Sequence, residues 1–174
     1  MTATYTSLAD EEFFGAIGRL TISWAHLELG LDGMVHILYH GFGGKAIDPE
    51  IPQTLSRKIR FLRAAFKKLP IGDEGINGYL SFLDRVEAAA VTRHDIIHGI
   101  VVDQAEGSGE ATIVRIARKR GVVSTRRFTA STTDILRAAA EAQRLGGKIL
   151  SGVDEIHSFI EQQAANKKSD VDLE

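Results

Sequence analysis

The chain has 174 residues, 44% of them hydrophobic and 25% charged, with a net charge of −2 at neutral pH. That is enough apolar material for a core, with no overall electrostatic pull toward nucleic acid or membrane. There is no cysteine, which excludes disulfides, thiolate zinc sites and a cysteine nucleophile and fits a reducing cytoplasm.

The acidic N-terminal stretch lacks the basic and apolar regions of a signal peptide, and no apolar run approaches the ~20 residues of a membrane span. A cytoplasmic chain without membrane contact is expected. The first predicted helix starts after Ser7, which can cap it, with Asp10, Glu11 and Glu12 in the first turn where carboxylates suit the dipole. Phe13, Ile17, Leu20, Trp24, Leu27, Leu31, Val35 and Leu38 then recur at steps of three and four, a helical stripe. Gly41-Phe42-Gly43-Gly44 stops it near His40. With Lys45 this loop superficially resembles a phosphate loop, but Ala46 stands where Ser or Thr is needed and a helix, not a strand, precedes it.

A second helix is predicted over about 53–69, ended by Pro70. Its outer faces carry Arg57, Lys58, Arg60, Arg63, Lys67 and Lys68 with no acid between them. After a turn at Gly72-Asp73-Glu74-Gly75, a third helix with Ile76, Leu80, Leu83, Val86 and Ala90 inward runs to His98, where Gly99 ends it. The period then changes. Short β-branched runs at 100–102, 112–116 and 122–128, separated by Gly107-Ser108-Gly109 and Lys119-Arg120-Gly121, predict an antiparallel three-stranded meander. Thr132 or Thr133 caps a last helix over about 134–164, in which Gly146-Gly147 predicts a kink or the close approach of another backbone. The expected fold is mainly α: a four-helix bundle with a small β meander inserted before the last helix. It forms a single domain over 1–166 with a disordered tail over 167–174.

The chemistry concentrates in Arg93-His94-Asp95-Ile96-Ile97-His98-Gly99. His94 and His98 are four apart and share a helix face. Arg93 and His98 are five apart, roughly 140° around the helix. A long arginine side chain partly closes that gap, or a two-fold mate brings a second Arg–His set alongside.

This run resembles the signature of the HEPN superfamily, helical bundles that often act as metal-independent ribonucleases. Arg93, a polar residue at His94, His98 after four intervening residues, and Gly99 match its pattern. Trp24 and Glu28 resemble a Trp-x-x-x-Glu pattern of bacterial relatives, as does the insertion of strands after His-Gly. The resemblance implies cleavage of RNA through its own 2′-OH, with no metal and no cofactor. His98 takes the acid–base role open to an imidazole, Arg93 braces the charge that builds on the phosphorane, and His94 orients a group or the phosphate. Glu28 and Asp95 are the expected supporting residues. The resemblance also implies a homodimer of toxin or phage-defence type, with a neutralising partner protein.

Other readings compete. The run could be a catalytically silent module that binds nucleic acid or protein, with Arg93 and His98 merely suiting a helix C-terminus and Asp95 pairing with a nearby arginine. His94-Asp95-x-x-His98 also resembles the His-Glu-x-x-His zinc helix. A metal hydrolase would need a third ligand from His26, Glu28, His36 or His40. Beyond the motif, residues 111–129 hold Arg115, Arg118, Lys119, Arg120, Arg126 and Arg127 without an acid. Arg57, Arg60, Lys67, Arg126 and Arg127 are the expected RNA contacts, provided such patches lie beside Arg93; otherwise they are solvated faces.

Overall fold

The computed structural model describes residues 8–104, 109–119 and 121–171. The chain is mainly helical, with four helices and a three-stranded antiparallel sheet before the last of them. The elements are α1 (Leu8–Gly41), a short 3-10 turn (Gly44–Ala46), α2 (Leu55–Phe66), α3 (Gly72–Ile97), β1 (Ile100–Gln104), β2 (Glu110–Lys119), β3 (Val122–Ser131) and α4 (Thr132–Val171). Among the described residues no helix is long and apolar enough to cross a membrane.

Several boundaries differ from the sequence expectation, each for a local reason. Thr54 caps α2 by accepting from the Arg57 amide. The helix stops at Phe66 because the chain tightens into 3-10 turns, with Lys68 N donating to Ala65 O at 2.9 Å and Leu69 N to Phe66 O at 3.2 Å. Pro70 disfavours the α conformation at the residue before it. The predicted turn at 72–75 is instead the first turn of α3. Gly72 makes the entry at φ +72°, and Asp73 and Glu74 then sit at the positive end of the dipole.

The cap of α4 is Ser131 rather than Thr132 or Thr133. Asp134 N donates to Ser131 Oγ at 3.1 Å and Ser131 N donates back to Asp134 Oδ2 at 3.3 Å, a capping box with Asp in place of Glu. The Ser131 hydroxyl, which donates to Asp134 Oδ2 at 2.7 Å, and then the Ser131 amide hold the Asp134 carboxyl below its usual range. The helix continues past the predicted end to Val171. The Ser7 cap, the 105–108 part of the β1–β2 turn, Arg120 and the last three residues lie outside the described residues.

Two compact units emerge, one of residues 1–25 and 86–143, the other of 26–85 and 144–174. In the second, segments of all four helices meet around Leu27, Leu31, Leu38, Leu62, Phe66, Leu83 and Ile149, all essentially buried. Gly146 lies where α4 passes α1: a Cβ there would stand 3.3 Å from Leu27 N. Of the two roles predicted for the Gly146-Gly147 pair, this is the close approach of backbones.

In the first unit the sheet, ordered β1-β2-β3, lays one face on helices. Ala111, Ile113 and Ala130 pack with Phe13, Ala16 and Leu20 of α1, Ile96 of α3, and Ile135 and Ala139 of α4. Side chains alternate along a strand, so the same inward face continues to Arg115 on β2 and its directly opposite neighbour Arg126 on β3.

Candidate active site

The end of α3 lies in the first unit, and the sheet follows it at once. Ile96 faces the core, half-buried Ile97 packs against it, and His94 and His98 stay exposed. Helical spacing places the two imidazoles together, with ring centres 4.4 Å apart and planes tilted by 58°. The His98 amide still closes a helical bond to His94 O at 3.2 Å, which holds the second ring over the first.

Arg93 closes the angular gap. Its Nη1 lies 3.3 Å from His98 Nε2, and its guanidinium carbon lies 5.9 Å from the centre of the Trp24 ring. Trp24 is buried to 2% exposure, so the indole is a fixed shelf, and the cation–π contact adds to the positioning. Arg93 Nε is buried with no hydrogen-bond partner. The arginine is therefore held by packing along its stem, leaving the terminal nitrogens to reach outward. A guanidinium can only donate, so in this contact His98 Nε2 is the acceptor and keeps its lone pair on the side facing Arg93.

Asp95 points the other way. It is 5% exposed and receives Arg115 Nη1 on Oδ1 and Arg126 Nη1 on Oδ2, the latter at 2.5 Å. One carboxylate thus bridges two guanidiniums that face each other across adjacent strands, where like charges repel, and leaves the trio with a net positive charge. The clamp ties the sheet to the last turn of α3. Gly99 is the second tie. A Cβ at this position would overlap Ile113 Cγ2 and stand 2.7 Å from the Asp95 carbonyl oxygen, so β2 can lie against α3 only if residue 99 has no side chain.

The surroundings are strongly cationic. His94 is pushed below its usual value of 6.5, first by partial desolvation against the helix and then by the positive charge of Arg115, the neighbouring His98 and Arg93; Asp95 opposes the shift. The folded chain therefore binds this proton less tightly than the unfolded chain. The stability linked to it is complete above 6.5 and is lost as the pH falls below that value. A proton NMR titration should give a His94 midpoint below 6.5. A midpoint at or above 6.5 would contradict the proximity of these guanidiniums.

The other sequence-predicted residues fall in both units. Glu28 is half-buried in the second unit, and among the described residues its carboxylate makes no hydrogen bond or ion pair. On α2, also in the second unit, Arg57 is engaged by Asp48 at 2.8 Å and Glu50 at 3.4 Å. Lys58 pairs with Asp32, and Arg63 pairs with Asp84 at 2.6 Å. Three of the four basic residues on that helix are thus answered by acids from other segments, while Arg60, and Lys67 just beyond the helix end, remain exposed without an ion pair among the described residues.

In the first unit, Arg126 is on the Asp95 clamp yet its side chain is 63% exposed, and Arg127 is exposed on the opposite sheet face. Arg115 is the residue that sequence reasoning passed over as part of a general basic stretch. Strand alternation from Ile113 would have pointed it inward, but its partner could be found only through the tertiary fold. Among the described residues no three His, Asp or Glu side chains converge as a metal-ligand set. Comparison with protein-family models, with curated proteins and with solved structures gives no match to this chain.

Proposed function

We propose that the chain is a HEPN-like, metal-independent endoribonuclease that acts in the cytoplasm as a homodimer, of toxin or phage-defence type. The observation that carries the reading is the meeting of Arg93 Nη1 and His98 Nε2 at 3.3 Å on the exposed end of α3. A phosphodiester needs a base for the 2′-OH and a cation for the phosphorane, and these two groups supply both.

In the proposed reaction Arg93 turns from His98 Nε2 to the phosphate, and the freed Nε2 lone pair accepts the 2′-OH proton. The 2′ oxygen bonds to the adjacent phosphorus, the bond from phosphorus to the 5′ oxygen breaks, and the departing oxygen takes a proton from water or from the same histidine of a second copy. Arg93 stabilises the non-bridging oxygens as charge gathers on them. His94, depressed toward its neutral form, serves as a hydrogen-bonding guide. Arg115 and Arg126 outnumber the one acid they share and favour a polyanion near the helix end. Arg126, with its side chain 63% exposed, is the more accessible phosphate contact of the two.

The test is incubation of the purified chain with single-stranded RNA in excess EDTA. The expected products carry 2′,3′-cyclic phosphate and 5′-hydroxyl ends. Intact RNA, or cleavage that EDTA stops, would end this reading. RNA bound without cleavage, with affinity falling steeply as salt rises, would instead mark a binding module that reads phosphates.

A further inference from the structure

Two helices of this chain carry paired histidines four residues apart near their C-terminal ends, and the two pairs have almost the same geometry. On α3 the rings of His94 and His98 are 4.4 Å apart at 58°. On α1 the rings of His36 and His40 are 4.5 Å apart at 56°. Two histidines at this spacing are the usual bidentate unit for a divalent metal on a helix. Zinc binds imidazole nitrogen at about 2.0–2.1 Å, so two nitrogens on one tetrahedral ion stand about 3.3 Å apart. Ring centres 4.5 Å apart reach that separation by small rotations about χ2.

Spacing and ring geometry therefore do not distinguish the pairs, but their charges do. A cation between His94 and His98 would meet the Arg93 guanidinium, already 3.3 Å from His98 Nε2, and the field of Arg115, which acts on His94. That corner favours an anion. His36 and His40 are exposed, and no guanidinium contacts either of them among the described residues. One turn before His36, Asp32 Oδ1 engages Lys58, a pair with no net charge. His40 lies in the last turn of α1, where the negative end of the helix dipole favours a cation.

We propose that His36 and His40 form a bidentate surface site for a late first-row divalent ion, Zn2+, Cu2+ or Ni2+. Imidazole is a preferred ligand for these ions and a poor one for the harder Mg2+ and Ca2+. Water, or the same two histidines of a second copy, completes the coordination. The ion joins two successive turns of α1 and so stiffens its end. This assignment is independent of the ribonuclease reading, because it concerns a different helix face and is read by binding alone.

The experiment is calorimetric titration of the full chain with ZnCl2 at pH 7.5. The result expected is one Zn2+ per chain, or one per two chains where a second copy shares the ion. His36→Ala and His40→Ala should each weaken binding by about tenfold or more, since each removes the chelate's effective concentration. His94→Ala should leave the affinity unchanged. Both α1 positions are exposed, so circular dichroism of those variants should match the parent. As a second reading, Zn2+ should raise the unfolding midpoint of the parent and of His94→Ala but not of His40→Ala. No Zn2+ binding, binding that survives the double replacement of His36 and His40, or binding abolished by His94→Ala would each overturn the assignment.

Discussion

His98→Ala is expected to lower RNA cleavage by about 10²–10⁴-fold, the range for loss of a positioned general base, while the fold persists. The two effects separate because His98 is exposed. Its ring lies tilted against that of His94 and accepts from Arg93. The structural cost is limited to one exposed hydrogen bond and the contact with the neighbouring ring, about 0.5–1.5 kcal/mol. Arg93→Ala should lose about 10²–10³-fold, the range for removing one donor to a developing oxyanion. Arg93→Lys should recover only part of that, because an ammonium cannot reproduce a flat guanidinium seated over Trp24. Initial rates on a fluorescent RNA, with thermal melts of each variant, provide the check. Wild-type cleavage by His98→Ala would refute the assignment.

The second large effect is on stability. Asp95→Ala leaves Arg115, with 23% of its side chain exposed, desolvated and facing Arg126 with nothing between them. Breaking a fully buried ion pair from one side costs about 3–5 kcal/mol. Arg126 is 63% exposed and can turn into water, so the expected loss is lower, about 2–3 kcal/mol. Replacing the cluster together, Asp95→Leu with Arg115→Met, should recover most of it, since no charge is then stranded. Urea denaturation of the two variants distinguishes the cases. A midpoint for Asp95→Ala equal to that of the parent would show that the clamp contributes nothing. Removing the Asp95 charge should also drive the His94 titration still lower, because that carboxylate is the one group opposing its depression.

The helices were legible because burial follows the 3.6-residue period. Phe13, Leu20, Trp24, Leu27, Leu31, Val35 and Leu38, marked by spacing alone, are all buried on α1. The strands were legible as runs of β-branched residues, but their length was not: β3 continues to Ser131 because pairing with β2 carries it there. The grouping of Arg93, His94 and His98 could be read from one turn and a half of helix, whereas the closing of the 140° gap depended on how Arg93 packs on Trp24. The Asp95 clamp depended on strand register, and the pairing of Arg57, Lys58 and Arg63 on acids 7 to 26 positions away. Local periodicity records which face is apolar; it carries no record of which distant charge will arrive.

Gly99 changes how its own neighbourhood should be searched in other sequences. Its bareness serves the seat of Ile113, a residue of an inserted strand, and has no part in handling a phosphate. The same bareness spares the Asp95 carbonyl oxygen of its own helix, which a Cβ would approach to 2.7 Å. A helix bearing the same arginine and histidine, but with no strands after it, would be relieved of the first constraint and keep the second. The glycine therefore reports how the chain leaves the helix as much as the hairpin inserted after it.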